Sequence, residues 1–236
     1  MIGVVRRLIL WDIDGTLLHT GGAGREALEV AAARATGLAV VPQVRMSGKT
    51  DPQIVADILS TAGVPATAAA HLVPAVLAES ELLLESWSSR MSAEGRVHPG
   101  VRELLVQLDG SPGVRQTLVT GNIYPNALCK VRAFGLDGFF DTEVGAYGTD
   151  HAERDRLVPI ALSRVRERRG ETYAPDEIWV IGDTPNDLSC ARAGGVRCLL
   201  VGTGGGTGYA AIESLGADRA VHDLGDTTSV LELLLN

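Results

Sequence analysis

Asp12 and Asp14 stand two residues apart, directly after the apolar run Leu8-Ile9-Leu10-Trp11 and just before Gly15-Thr16. Carboxylates set against a buried segment are costly unless a cation or hydrogen-bond donors neutralise them. The plainer reading is a pair of aspartates that shape a turn. A second cluster, Thr120-Gly121-Asn122, also follows an apolar run, Gln116–Val119. A hydroxyl beside freely approached backbone N–H groups suits a phosphate oxyanion, although such turns are common. The third cluster is Gly182-Asp183-Thr184-Pro185-Asn186-Asp187, after Ile178–Ile181. Asp183 suits Mg2+, which takes few carboxylates and keeps several waters. Asp187 is placed either to join it or to serve as the N-cap of the helix through Leu188–Ala193; the two roles are compatible. The fourth is a cation, Arg154 or Arg156, at the start of an apolar helix; the bland alternative is a solvated basic end.

The elements that must hold these clusters follow from the hydrophobic pattern. Leu8–Trp11, Gln116–Val119, Ile178–Ile181 and Val196–Val201 are apolar without alternation, as in strands covered on both faces of a parallel sheet. Helical patterns lie between and after them: Val101–Leu108, Pro125–Phe134, Leu157–Arg168, Asp187–Ala193 and Thr228–Leu235. The alternation predicts a doubly wound α/β fold with a mostly parallel sheet, whose strand ends are where ligands bind. The interval 20–95 breaks the rhythm and predicts three helices, Gly24–Thr36, Asp51–Ala62 and Ala66–Arg90. Thr50-Asp51-Pro52-Gln53 carries the signature of a capping box with an early proline, and Gly63 ends that helix. The expected organisation is a core of residues 1–19 and 96–236 with a helical cap at 20–95. Val97-His98-Pro99-Gly100 is the return linker.

Composition narrows the function classes. A net charge of −8 argues against nucleic-acid and anionic-membrane partners, so any bound phosphate needs local donors or a metal. No run reaches the ~18 apolar residues of a membrane span, and Arg6, Arg7 and Asp12 interrupt any leader-like start. Cys129, Cys190 and Cys198 lack metal-ligand spacing and read as reduced buried thiols, which fits a cytoplasmic location. The 28 glycines exceed ordinary usage and fit short βα turns.

In order, Asp-x-Asp-Gly-Thr, Thr-Gly-Asn, a basic residue and Gly-Asp-x-x-x-Asp resemble the haloacid dehalogenase-like (HAD) superfamily across essentially the whole chain. The insert after the first motif resembles the C1-capped branch, with phosphoglycolate phosphatases and β-phosphoglucomutases. The resemblance implies Asp12 as nucleophile, Asp14 as general acid/base, and Thr120 with Gly121 and Asn122 as phosphate binders. It implies Mg2+ on Asp12, the Asp14 backbone carbonyl, Asp183 and Asp187. The usual Lys-Pro is absent; Arg154-Asp155 is the nearest counterpart, and Arg keeps the charge without donating a proton. An Asp at position 14 implies a phosphatase or phosphomutase rather than a dehalogenase.

The expected activity is therefore Mg2+-dependent hydrolysis of a small-molecule phosphate ester through an aspartyl-phosphate, with phosphoglycolate-like anions first. The alternatives are a phosphomutase and a non-catalytic phosphate-binding protein. Cap residues are expected to close over the leaving group without touching the chemistry. Lys49, just before a helix start, is the cap candidate for an anionic substrate end, against a solvated loop lysine. Gly48-Lys49-Thr50 lacks the upstream glycine of a P-loop, and Gly202–Gly206 reads as a flexible loop. His19 and His98 read as structural. Oligomeric state is not legible.

Overall fold

The computed structural model describes residues 6–204 and 208–236. The expectation about the first residues, at Met1–Val5, and the Gly205-Gly206 part of the glycine-rich loop lie outside the described residues. The chain opens with β1 (Arg7–Trp11) and β2 (Leu18–His19). Four helices follow: α1 (Ala23–Thr36), α2 (Asp51–Thr61), α3 (Ala66–Ser86) and α4 (Ser88–Glu94). Then come β3 (Arg96–Val97), α5 (Val101–Asp109), β4 (Val114–Leu118) and α6 (Tyr124–Ala133). A 3-10 turn at Arg154–Arg156 leads into α7 (Leu157–Arg169), β5 (Ile178–Gly182) and α8 (Pro185–Gly194). The chain ends with β6 (Arg197–Val201), α9 (Tyr209–Glu213), β7 (Arg219–Val221) and α10 (Thr227–Leu235).

Five strands pair in parallel in the order β4-β1-β5-β6-β7. This is the doubly wound α/β fold expected from the uninterrupted apolar runs. Ile9 and Trp11 pack into one apolar cluster with Leu104, Leu105 and Val131. Leu8 and Leu10 pack into the other with Val158, Ala161 and Ala191. Both sheet faces are covered, so alternation has no solvent side to serve. Each fully buried Leu or Ile contributes roughly 1.5–3 kcal/mol. Register then sets the site: Trp11 pairs with both Leu118 and Ile181, so three strands end side by side.

The ribbon of β2 and β3 is antiparallel and carries the chain out to the four helices and back. Val97 of the expected linker is thus a strand residue. Thr50 caps α2, with both halves of its capping box formed with Gln53. The expected helix Ala66–Arg90 is broken at Trp87, whose φ of −98° and ψ of 9° separate α3 from α4. In α3 an 18-residue window has a mean hydropathy of 1.3, so by length and composition it could cross a membrane. It nevertheless packs against α1 and α2, and Val76, Leu83 and Leu84 join the apolar cluster.

Candidate active site

The site sits on the loops that follow β1, β4 and β5. Asp12 is 4% exposed, and its N–H donates to Ile181 O at 2.9 Å, extending the sheet by one residue. Gly15 takes φ +86°; a Cβ there would lie 2.5 Å from Asp183 Oδ2, so this turn needs glycine for both shape and space. Thr120 is fully buried, and its N–H donates to Ala146 O. Its hydroxyl oxygen accepts from Asn122 Nδ2 at 2.9 Å. α8 begins at Pro185 with Thr184 as its N-cap, which corrects Asp187 as the cap. Asp187 instead fills the reciprocal position: its Oδ2 accepts from Thr184 N at 3.0 Å and Oγ1 at 2.6 Å.

Carboxylate oxygens of Asp12, Asp183 and Asp187 lie within 4.8 Å of one another, all buried. Arg154 Nη2 pairs with Asp12 Oδ1 at 3.1 Å and with Asp187 Oδ1. Arg156 instead is exposed and pairs with Glu153, so the structure brings only Arg154 to the acids. Burial is the main force pushing Asp12 up to about 6; Asp187 and Asp14 add to it, while Arg154 opposes it. Burial, then Asp187 and Asp12, also raise Asp183 well above the usual range. Three buried carboxylates thus meet one guanidinium, leaving an excess of two negative charges when all are ionised. A hard, oxygen-only donor set with that excess fits a divalent cation such as Mg2+.

Asp14 points away from this trio. Its Oδ2 accepts from Asn122 Nδ2 at 2.8 Å and from Lys130 Nζ at 2.6 Å. Burial works to raise the Asp14 carboxyl, but the Lys130 charge and the bonds from Lys130 and Asn122 outweigh it and hold it below the usual range. Lys130, on α6, is 4% exposed and also donates to Asn122 Oδ1 at 2.5 Å. None of the four motifs points to Lys130, although the sequence carries a signal for it. It lies three residues after Ala127 and four before Phe134, on the buried stripe of α6, where a lysine needs a partner.

The segment before α2 grips the same loops. Asp51 N–H donates to Gly121 O at 2.8 Å, and Asp51 Oδ2 accepts from Ile123 N at 2.9 Å. Gly48 O accepts from Asn186 Nδ2 at 2.8 Å and from Arg154 Nη1 at 3.4 Å. The inserted segment therefore touches the site loops directly, because the short Gly48–Asp51 stretch is held between two strand ends. Lys49 lines the cavity, yet its ammonium pairs with Asp57. Thr203 Oγ1 donates to Gly15 O at 2.5 Å, and a Cβ on Gly204 would lie 1.8 Å from Asp183 Oδ2. The described part of the glycine-rich loop thus packs on the site rather than standing clear of it.

A cavity of about 340 Å³ opens above Asp12, Asp14, Thr120 and Asp183. Leu18, Leu28, Met46 and Ile54 supply apolar wall, and Arg25 and Lys49 line it as well. His19 also lines it, its Nδ1 accepting from Gly21 N, whereas His98 is buried outside it. All three cysteines are free and buried, as expected.

The profile of the haloacid dehalogenase-like hydrolases matches residues 9–192. The phosphoglycolate phosphatase of Nitrosospira multiformis is 29% identical over 147 residues, 62% of each chain. A putative pyrophosphatase PpaX of Caldanaerobacter subterraneus is 30% identical over 107 residues, 45% of this chain and 46% of the relative. The chain thus spans about half to three fifths of these curated relatives. A hydrolase from Pseudomonas syringae has the same fold at TM-score 0.72 and 20% identity, covering 98% of this chain and all of its own.

Proposed function

Because this chain belongs to the haloacid dehalogenase-like hydrolases, we propose that it is a Mg2+-dependent phosphatase of small phosphate monoesters, acting through Asp12. The observation that carries this reading is the Asp12–Asp183–Asp187 trio, bridged by Arg154 and open to a cavity edged by Thr120 and Asn122. Asp12 attacks phosphorus and the bond to the leaving oxygen breaks, while Asp14 gives that oxygen a proton. Asp14 then takes a proton from water, whose oxygen attacks phosphorus; the bond to Asp12 breaks and inorganic phosphate leaves. Arg154 and the donors of the Thr120–Asn122 loop offset charge on the transferring group. Asp12, Asp183, Asp187 and the Asp14 carbonyl would hold Mg2+, which supplies further charge neutralisation there.

The helical stretch 20–95 acts in this scheme as a lid over the leaving group. The named relatives include a phosphoglycolate phosphatase, and Arg25, Lys49 and His19 line the cavity on the lid side. Small esters whose leaving group carries an anion, with 2-phosphoglycolate first, are therefore the leading substrates. The test is a panel of phosphate esters and pyrophosphate with Mg2+ or EDTA. Expected is Mg2+-dependent release of inorganic phosphate, abolished in Asp12→Asn while the melting temperature stays near wild type. Substantial hydrolysis by Asp12→Asn would exclude this nucleophile, and isomerised sugar phosphate without phosphate release would exclude hydrolysis.

A further inference from the structure

We propose that Lys130 is a positioning residue, whose ammonium clamps one carboxylate oxygen of Asp14 so that the other faces the substrate. This rests on the phosphatase reading above, in which Asp14 exchanges protons with the leaving group and with water. Both hydrogen bonds made by the Asp14 side chain, from Lys130 Nζ and Asn122 Nδ2, fall on Oδ2. Oδ1 has no hydrogen-bond partner among the described residues, and Asp14 lines the cavity with 44% of its side chain exposed. A carboxylate held by one oxygen with the other free is the arrangement a proton-transfer group needs.

Lys130 is itself fixed from several sides. Asn122 Oδ1 accepts from Nζ, and Asn122 is tied in turn to the Thr120 hydroxyl oxygen. From the lid, α1 stands against the ammonium: a Cβ on Gly24 would lie 3.0 Å from Nζ. Arg154 already serves Asp12 and Asp187 from the other side of the site. The two cations therefore divide the work, Arg154 beside the nucleophile and Lys130 beside Asp14. A buried lysine with only a structural role would not need to spend its bonds on an acid that faces a cavity.

The experiment compares Lys130→Met and Asp14→Asn on esters with poor and good leaving groups, an alkyl phosphate and p-nitrophenyl phosphate. For the alkyl ester, kcat/KM should fall about 10²-fold in both variants: Asp14→Asn removes the proton the alkoxide needs, and Lys130→Met misdirects it by more than the easier protonation of Asp14 regains. For p-nitrophenyl phosphate, kcat/KM should fall less than about fivefold, since its leaving group departs unprotonated. Its kcat should fall further, with a burst of p-nitrophenolate, because water attack still needs Asp14. Lys130→Arg should recover part of the alkyl-ester loss.

Gly24→Ala keeps the charge and favours the helix, but presses a methyl on Nζ; it should show the same split, smaller. It serves as the readout if Lys130→Met does not fold. An equal loss on both esters, with weaker inhibition by inorganic phosphate, would overturn the proposal and make Lys130 a phosphate clamp. No Mg2+-dependent phosphatase activity in the wild type would overturn the phosphatase reading itself, and this proposal with it.

Discussion

Arg154 shows how much a single buried side chain carries. Its Nη2 bridges Asp12 and Asp187 while Nη1 donates to Gly48 O, a division between two nitrogens of one planar fork that a lysine ammonium does not offer. Removing it strands buried carboxylates, and breaking such a pair costs roughly 3–5 kcal/mol. Arg154→Met should therefore lose about that much unfolding free energy in EDTA, read by denaturant titration. Mg2+ should restore part of it, because a cation among the same oxygens replaces the lost charge. The kcat/KM should fall on the order of 10²–10³-fold, as for loss of one preorganised donor. Arg154→Lys should sit between these values and wild type.

Among the elements, the loop after β4 and the segment before α2 meet backbone to backbone beside the site. A Cβ on Gly121 would lie 2.2 Å from Lys49 O and 2.9 Å from Thr50 Cα, a clash of backbone with no flexible side chain to yield. Gly121→Ala should push the Gly48–Asp51 stretch off the loop and loosen the lid. Displacement of this order costs up to about 10²-fold in rate. Steady-state kinetics should show lower kcat and higher KM, with a small change in melting temperature. Unchanged kinetics would mean that this contact does not set the closed site.

The central elements were legible because β1, β4 and β5 are buried on both faces, and burial of that kind leaves uninterrupted apolar runs. β7 was not: Arg219-Ala220-Val221 is a short edge strand with a charged start, and nothing in its pattern separates it from a loop. The break at Trp87 was hidden because α3 and α4 share one helical periodicity, and only the backbone turn parts them. Asp12, Asp14, Thr120 and Asp183 stood out because charge or a hydroxyl directly follows an apolar strand. Lys130 did not, because it acts from within a helix, where its partner lies 116 residues away in the chain. Asp51 stands in the sequence only as the start of a helix, yet its carboxylate accepts from the Ile123 N–H, 72 residues away.

The stability of the whole molecule should carry an acid-sensitive component from His98. Its backbone N–H donates to Leu17 O where the chain returns to the sheet, and its ring Nε2 is buried with no hydrogen-bond partner among the described residues. Burial, then the charges of Arg96 and His19, push its imidazole down to about 4 from an ordinary 6.5. Between those values the unfolded chain binds the proton that the folded chain refuses. The stabilisation is thus full above pH 6.5 and lost as pH falls through 4. At about pH 4.5 the loss should reach roughly 2–3 kcal/mol. His98→Leu does not titrate, so the wild-type stability measured relative to this variant should drop by that amount between neutral pH and about pH 4.5. A difference that stays constant with pH would place His98 in the ordinary range.

Strand order also dictates the sequence of events as the chain is made. β1 pairs with β4 through Arg7 and Val114, and with β5 through Leu8 and Ile178. A ribosome adding residues at about 5–20 per second leaves Leu8–Trp11 without its sheet neighbours for several seconds at least. The helices between them can pair with each other sooner, because their contacts are nearer in sequence. The nascent chain therefore passes through a stage with a formed helical layer and an orphaned apolar strand beside it. Aggregation during synthesis should arise there, and slowing translation between β1 and β4 should worsen it.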